Sequence, residues 1–264
     1  MAAEKTHPIL CATDVSVGYF SKKKSVLVAE NITFNLKKGE LIGVVGANGV
    51  GKSTLLRSLV GMQPILKGTI EINGKDLSKV SSLVLATQLS VVLTEPPASK
   101  NLTVRELVTL GRQPYTNWMG ALTETDIEKI TYALEVTDTQ KLAHKKCFEL
   151  SDGQLQRATI ARALAQDTPF IVLDEPTTHL DLYHRAYVLK LLKRLTKELD
   201  KTILFSTHEV DLAIQLSDQL IVMTPSEVYF DEPCKLIAAE KFDSLFPKDT
   251  IDFDKNTGRF SIKQ

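Results

Sequence analysis

The stretch Gly46-Ala47-Asn48-Gly49-Val50-Gly51-Lys52-Ser53-Thr54 matches the pattern G-x-x-x-x-G-K-[ST] at every fixed position. Leu41-Ile-Gly-Val-Val45 precedes it, short, apolar and β-branched, which predicts a buried parallel strand. Ser53-Thr-Leu-Leu-Arg-Ser-Leu-Val60 follows with apolar residues at helical spacing. Strand, glycine-rich turn and helix form a phosphate cradle. The glycines let successive N–H groups turn inward, and the new helix aims its positive end at the same point. Lys52 is positioned to reach β and γ phosphates, and the Ser53 hydroxyl to sit on Mg²⁺.

The second informative stretch is Phe170-Ile-Val-Leu-Asp174-Glu175. Four apolar residues ending in two acids put carboxylates at the carboxyl end of a buried strand, where α/β sheets hold ligands. Asp174 suits Mg²⁺, usually through its water shell, and Glu175 suits the general base that polarises an attacking water.

The rest of the chain gives the setting. Residues 9–45 are β-rich, with strand-like runs Ile9–Tyr19 and Val26–Leu36 and a turn at Asn35–Gly39; residues 66–77 predict a hairpin through Asn73-Gly74, and Leu89–Leu93 a buried strand. Pro96-Pro97 breaks the chain. Helices are expected from the capping box Thr103–Glu106, with Gly111 as a possible end, from Thr123-Glu-Thr-Asp126 to about Val136, and from Ser151-Asp152 to about Gln166. Residues 95–167 therefore read as a helical subdomain inserted into an α/β core. Alternation returns with strands at 170–173, 202–205 and 220–223 and helices at 183–199 and 209–216, which implies a parallel sheet. The tail 226–264 is mixed, and Phe253–Phe260 reads as a small hairpin.

Composition sets bounds. The chain has 264 residues, 43% hydrophobic and 24% charged, an ordinary globular balance. Lys+Arg and Asp+Glu are both 32, so a basic footprint for nucleic acid is not expected. The cationic run Lys22-Lys23-Lys24 reads as a solvated loop. Cys11, Cys147 and Cys234 read as reduced thiols. The first ten residues do not read as a signal peptide, and no apolar run is long enough to span a bilayer.

Leu150-Ser151-Asp152-Gly153-Gln154 resembles the LSGGQ signature of ATP-binding cassette (ABC) ATPases. Other positions match the same family in order. Tyr19 in Val-Gly-Tyr is similar to the aromatic that stacks on adenine, Thr177-Thr-His-Leu-Asp181 to the D-loop, and His208 in Ser-Thr-His-Glu to the switch histidine. The resemblance implies an α/β ABC-type P-loop ATPase with a RecA-like core, an N-terminal antiparallel β subdomain and the helical insertion. It implies one ABC domain over 1–264, with 95–167 as helical subdomain and 226–264 as C-terminal extension. It also implies ATP and Mg²⁺, the metal held by Ser53 and Asp174. Lys52, Glu175 and His208 would be catalytic, and the Gly46–Thr54 loop would bind nucleotide. A head-to-tail homodimer is expected, with Ser151 and Gly153 facing the partner's γ-phosphate. His7, His144, His179 and His184 are read as surface or local hydrogen-bonding residues, and Trp118 as packing.

Two positions depart from the family pattern. The glutamine that follows the strand at 89–93 is replaced by Thr94, followed by Glu95. Threonine is shorter, so a bridging water is expected between it and the metal. Asp152 replaces the first signature glycine. At ~8 Å and an effective dielectric near 20, it would repel a unit phosphate charge by about 2 kcal/mol. Its carboxylate is therefore expected to turn away from the nucleotide.

Pro176-Thr-Thr-His-Leu-Asp-Leu, Ser206–Ala213, Leu107–Tyr115 and Phe253–Phe260 resemble the ATPases of bacterial importers for iron–siderophore complexes, haem and vitamin B12. That resemblance implies a peripheral subunit on the cytoplasmic face of the cell membrane. It would be paired with integral-membrane permease subunits and, indirectly, a substrate-binding protein. An exporter ATPase and a non-transport cassette acting on DNA or ribosomes are the alternatives.

Overall fold

The computed structural model describes residues 8–21, 24–95, 99–245, 251–255 and 257–262. Lys22-Lys23, Pro96-Pro97 and His7 lie outside the described residues. The chain divides into two compact units, residues 1–80 with 192–264, and residues 81–191.

The first unit opens with β1 (Leu10–Ser21), β2 (Lys24–Leu36), β3 (Leu41–Gly46), α1 (Lys52–Leu59), β4 (Lys67–Ile72) and β5 (Lys75–Asp76). The second carries α2 (Ser82–Ala86), β6 (Leu89–Val92), α3 (Val104–Thr109), α4 (Glu124–Val136), α5 (Asp152–Ala165), β7 (Phe170–Leu173) and the start of α6 (Leu182–Leu199). The first resumes with β8 (Thr202–Thr207), α7 (Val210–Leu216), β9 (Gln219–Met223), β10 (Val228–Asp231), α8 (Pro233–Ala238), β11 (Ile251–Asp254) and β12 (Arg259–Ile262).

In the first unit one sheet is antiparallel, in the order β2-β1-β4-β5. The other runs β10-β9-β3-β8. Every residue of β3 is buried, as its unbroken apolar run demands, and it pairs in parallel with β8 on one side and β9 on the other. This sheet is not wholly parallel: β10 returns antiparallel to β9, in a tail expected to be mixed but with no strand assigned there. The cause is local. The Thr224 hydroxyl donates to the Glu227 carbonyl and accepts the Glu227 N–H, and Thr224 N–H also donates to that carbonyl. A turn this short can only send the chain back alongside itself. Pro233 at the first turn of α8 was the signal for that unanticipated helix. The hairpin at 253–260 forms as β11 and β12.

In the second unit β6 and β7 pair in parallel, and α3, α4 and α5 form the expected helical block. Thr103 and Thr123 close capping boxes with Glu106 and Asp126. Gly111 does not end α3 in a left-handed cap. It lies inside a 3-10 turn, Leu110–Tyr115, and a Cβ there would fall 2.2 Å from the Arg162 carbonyl of α5. Close helix packing requires this glycine.

The next residue anchors the same block. Arg112 Nε donates to Asp126 Oδ1 at 2.8 Å and its terminal nitrogen to the Ala165 carbonyl at 2.8 Å, with both side chains buried. The Thr123 backbone N–H and hydroxyl, then Arg112, hold the Asp126 carboxyl below the usual carboxylate range. Arg112→Ala is expected to cost about 3–5 kcal/mol, because it leaves a buried carboxylate short of its cation. A urea midpoint shift reads it, and a loss under about 1 kcal/mol would show that water replaces the guanidinium.

Candidate nucleotide site

In the first unit the chain leaves β3 at Gly46 and enters α1 at Lys52. A Cβ on Gly46 would lie 2.6 Å from the Met223 carbonyl, and one on Gly51 2.1 Å from Val28 Cγ1. Gly49 and Gly51 both take positive φ, 78° and 109°. Sterics and backbone conformation thus both demand glycine along this loop. Tyr19, half exposed, pairs in β1 with Val26, two residues from the Val28 that packs on Gly51.

Lys52 is buried. Its Nζ donates to the carbonyls of Gly46 at 3.0 Å and Ala47 at 3.3 Å, and lies 3.3 Å from His208 Nδ1. An ammonium only donates, so Nδ1 accepts and the imidazole carries its proton on Nε2. His208 follows the last residue of β8 and is exposed rather than enclosed in the core. The fold thus brings together two of the three residues named as catalytic. Ser53 and Thr54 lie in the first turn of α1, partly buried.

In the second unit Asp174 is buried at the end of β7, and its N–H donates to the Val92 carbonyl at 2.8 Å. Glu175 has φ of 51° and His179 of 65°. Left-handed non-glycine residues cost about 1 kcal/mol or more each and cluster at functional sites. Thr178 holds Glu175 through its N–H to the carbonyl, and its hydroxyl donates to Oε2, both at 3.2 Å. The Thr94 hydroxyl donates to the Asp174 carbonyl at 3.0 Å. The departure from glutamine thus ties the end of β6 to the end of β7, a role the sequence did not suggest.

Ser151 caps α5. Its hydroxyl accepts the Gln154 N–H at 3.4 Å while the Gln154 side chain accepts the Ser151 N–H at 3.2 Å. The signature glutamine therefore shapes the helix start. Leu150 is partly buried, Asp152 exposed and Gly153 buried. Asp181 caps α6 by accepting both the backbone N–H and Nδ1 of His184, each at 2.8 Å. These bonds, the backbone one foremost, keep the Asp181 carboxyl below its ordinary range. Trp118 is 92% exposed, so its reading as a packing residue is corrected. It sits in a turn that Asn117 closes by accepting the Met119 and Ala121 N–H groups.

This is the fold and loop chemistry of a P-loop nucleotide-binding protein. The family model described as ABC transporter matches residues 29–178. The achromobactin transport ATP-binding protein CbrD of Dickeya dadantii is 38% identical over 214 residues, 81% of this chain and 78% of that protein. The iron(3+)-hydroxamate import ATP-binding protein FhuC of Bacillus subtilis is 36% identical, over 83% of this chain and 80% of its own. A solved inward-facing ABC transporter, assigned to the metal-chelate type, superposes with a TM-score of 0.79 at 27% identity, covering 91% of this chain and 89% of that one. A dimeric post-hydrolysis ATP-binding cassette holding ADP and Pi gives 0.74 at 26% identity, over 85% and 98%. The chain belongs to the ABC transporter family as one of its nucleotide-binding ATPase cassettes. Among the described residues no helix is long and apolar enough to cross a membrane.

Proposed function

We propose that this chain is the ATPase subunit of an importer for an iron–siderophore or a related metal chelate. It works as a head-to-tail homodimer, peripheral on the cytoplasmic face of the cell membrane, on a pair of permease subunits fed by a substrate-binding protein. We read residues 1–264 as one ABC ATP-binding domain, with 95–167 as its helical subdomain and 226–264 as an extension. The import reading rests on 36–38% identity, across about four-fifths of the chain, to ATP-binding proteins of achromobactin transport and iron(3+)-hydroxamate import. The buried Lys52 ammonium, held between loop carbonyls and His208, carries the ATPase reading.

In this reading the 46–54 loop and Lys52 bind the phosphates, and Tyr19 stacks on adenine. Glu175 accepts the proton of the attacking water, and His208 contacts the γ-phosphate and that water. Ser151 and Gly153 meet the nucleotide held by the partner copy, with the Asp152 carboxylate turned away, and Asp181 lies at the same interface. Ser53 and Asp174 are a hydroxyl and a carboxylate, the oxygen donors that a hard cation takes, and would hold Mg²⁺ with Thr94 near its water shell. When bound, Mg²⁺ neutralises charge on the phosphate oxygens.

The second unit offers a candidate surface for the permease. Leu83, 65% exposed, and Leu110, about half exposed, border a groove whose lining includes Ala86, Gln113, Pro114 and Gln166. Purification of the chain from its native membranes in mild detergent is expected to recover a many-helix permease. Recovery of ribosomes or DNA, with no membrane protein, would replace the transport reading and leave the ATPase intact.

A further inference from the structure

A single imidazole joins the start of the signature helix to the D-loop. Asp181 Oδ1 accepts Nδ1–H of His184, and a carboxylate that only accepts fixes the proton on that nitrogen. The opposite ring edge then lies on Gly153. A Cβ built there would stand 2.6 Å from His184 Cδ2, 3.1 Å from Cγ and 3.3 Å from Nε2. Gly153 is not among the glycines with positive φ, so the backbone does not require glycine there; the ring does. Tyr183 meets the ring edge-on, its centroid 5.3 Å away. The imidazole is thus held by a carboxylate, an aromatic edge and the backbone of α5.

We propose that His184 is a positioning residue for the ATP-dependent dimer, setting the first turn of α5 against the D-loop so that both present one surface to the partner copy. It acts through Gly153 and Asp181 and touches no nucleotide itself. The proposal rests on the head-to-tail dimer reading above.

The test uses the full chain in a Glu175→Gln background, where hydrolysis is expected to be too slow to deplete ATP during the measurement. Sedimentation velocity reads the ATP-dependent dimer, and a fluorescent nucleotide reads binding to the monomer. His184→Ala is expected to weaken the dimer about tenfold at unchanged nucleotide affinity. Gly153→Ala is expected to weaken it more, because its Cβ meets the ring. Gly153→Ala combined with His184→Ala should dimerise more tightly than Gly153→Ala alone, since the obstruction is gone. A merely structural histidine would lower the melting temperature of His184→Ala and leave its ATP-dependent dimer unchanged. Additive effects, or an unchanged dimer in His184→Ala, overturn the proposal while the dimer reading stands. His184→Gln serves the same comparison if the alanine variant does not fold. No ATP-dependent dimer in the parent overturns the dimer reading, and the role of His184 falls with it.

Discussion

Glu175→Gln is expected to slow ATP hydrolysis by at least about 100-fold while nucleotide affinity changes less than about threefold. The amide matches the carboxylate in size and keeps an oxygen to accept the Thr178 hydroxyl. It adds no new strain to the left-handed backbone at this position, since glutamine has the same branching as glutamate. The substitution removes the carboxylate charge and with it the ability to accept a proton. An amide does not take a proton from water near neutral pH, and a positioned general base contributes about 10²–10⁴ in rate. Single-turnover phosphate release reads the chemical step, and titration with a fluorescent nucleotide reads binding. A rate within about threefold of the natural chain would remove Glu175 as the base. A parallel loss of binding would recast it as a phosphate or metal contact.

Lys52→Ala is expected to weaken nucleotide binding by about 100-fold or more. In the proposed reading the ammonium would make two charge-assisted bonds to phosphate oxygens, at about 1.5–3 kcal/mol each, which sets that scale. The substitution also has an effect without nucleotide. The ammonium bonds the Gly46 and Ala47 carbonyls, so its removal takes away cross-links that brace the loop on itself. A modest drop in the urea midpoint is therefore expected alongside the loss of affinity. Lys52→Arg should not restore binding, because a planar guanidinium does not fit a buried site shaped around a compact ammonium. Calorimetric titration decides the outcome. Affinity within about threefold of the natural chain would show that backbone N–H groups carry the phosphates without the lysine.

Where sequence and structure agree, the determinants are local. Glycine spacing before Lys52 produced the loop, an unbroken apolar run produced a fully buried β3, and threonine three residues before an acid produced the caps of α3 and α4. Each depends on residues within a few positions of one another, so each is readable along the chain. Local reading also has limits. Gly111 looks like a helix end until the Arg162 carbonyl stands against it, and Trp118 looks like core until its turn carries it outward.

By itself, then, the sequence determined the phosphate loop, the acidic strand end, the caps and the family order of motifs, because backbone conformation and helix capping are decided by neighbours in the chain. Only the tertiary structure decided that His208 meets Lys52 across 156 residues, that Thr94 bonds the end of β7, and that His184 fills the space over Gly153. Those contacts follow from strand order, register and close packing, and a residue's own neighbours along the chain carry no record of which distant side chain the fold will set beside it.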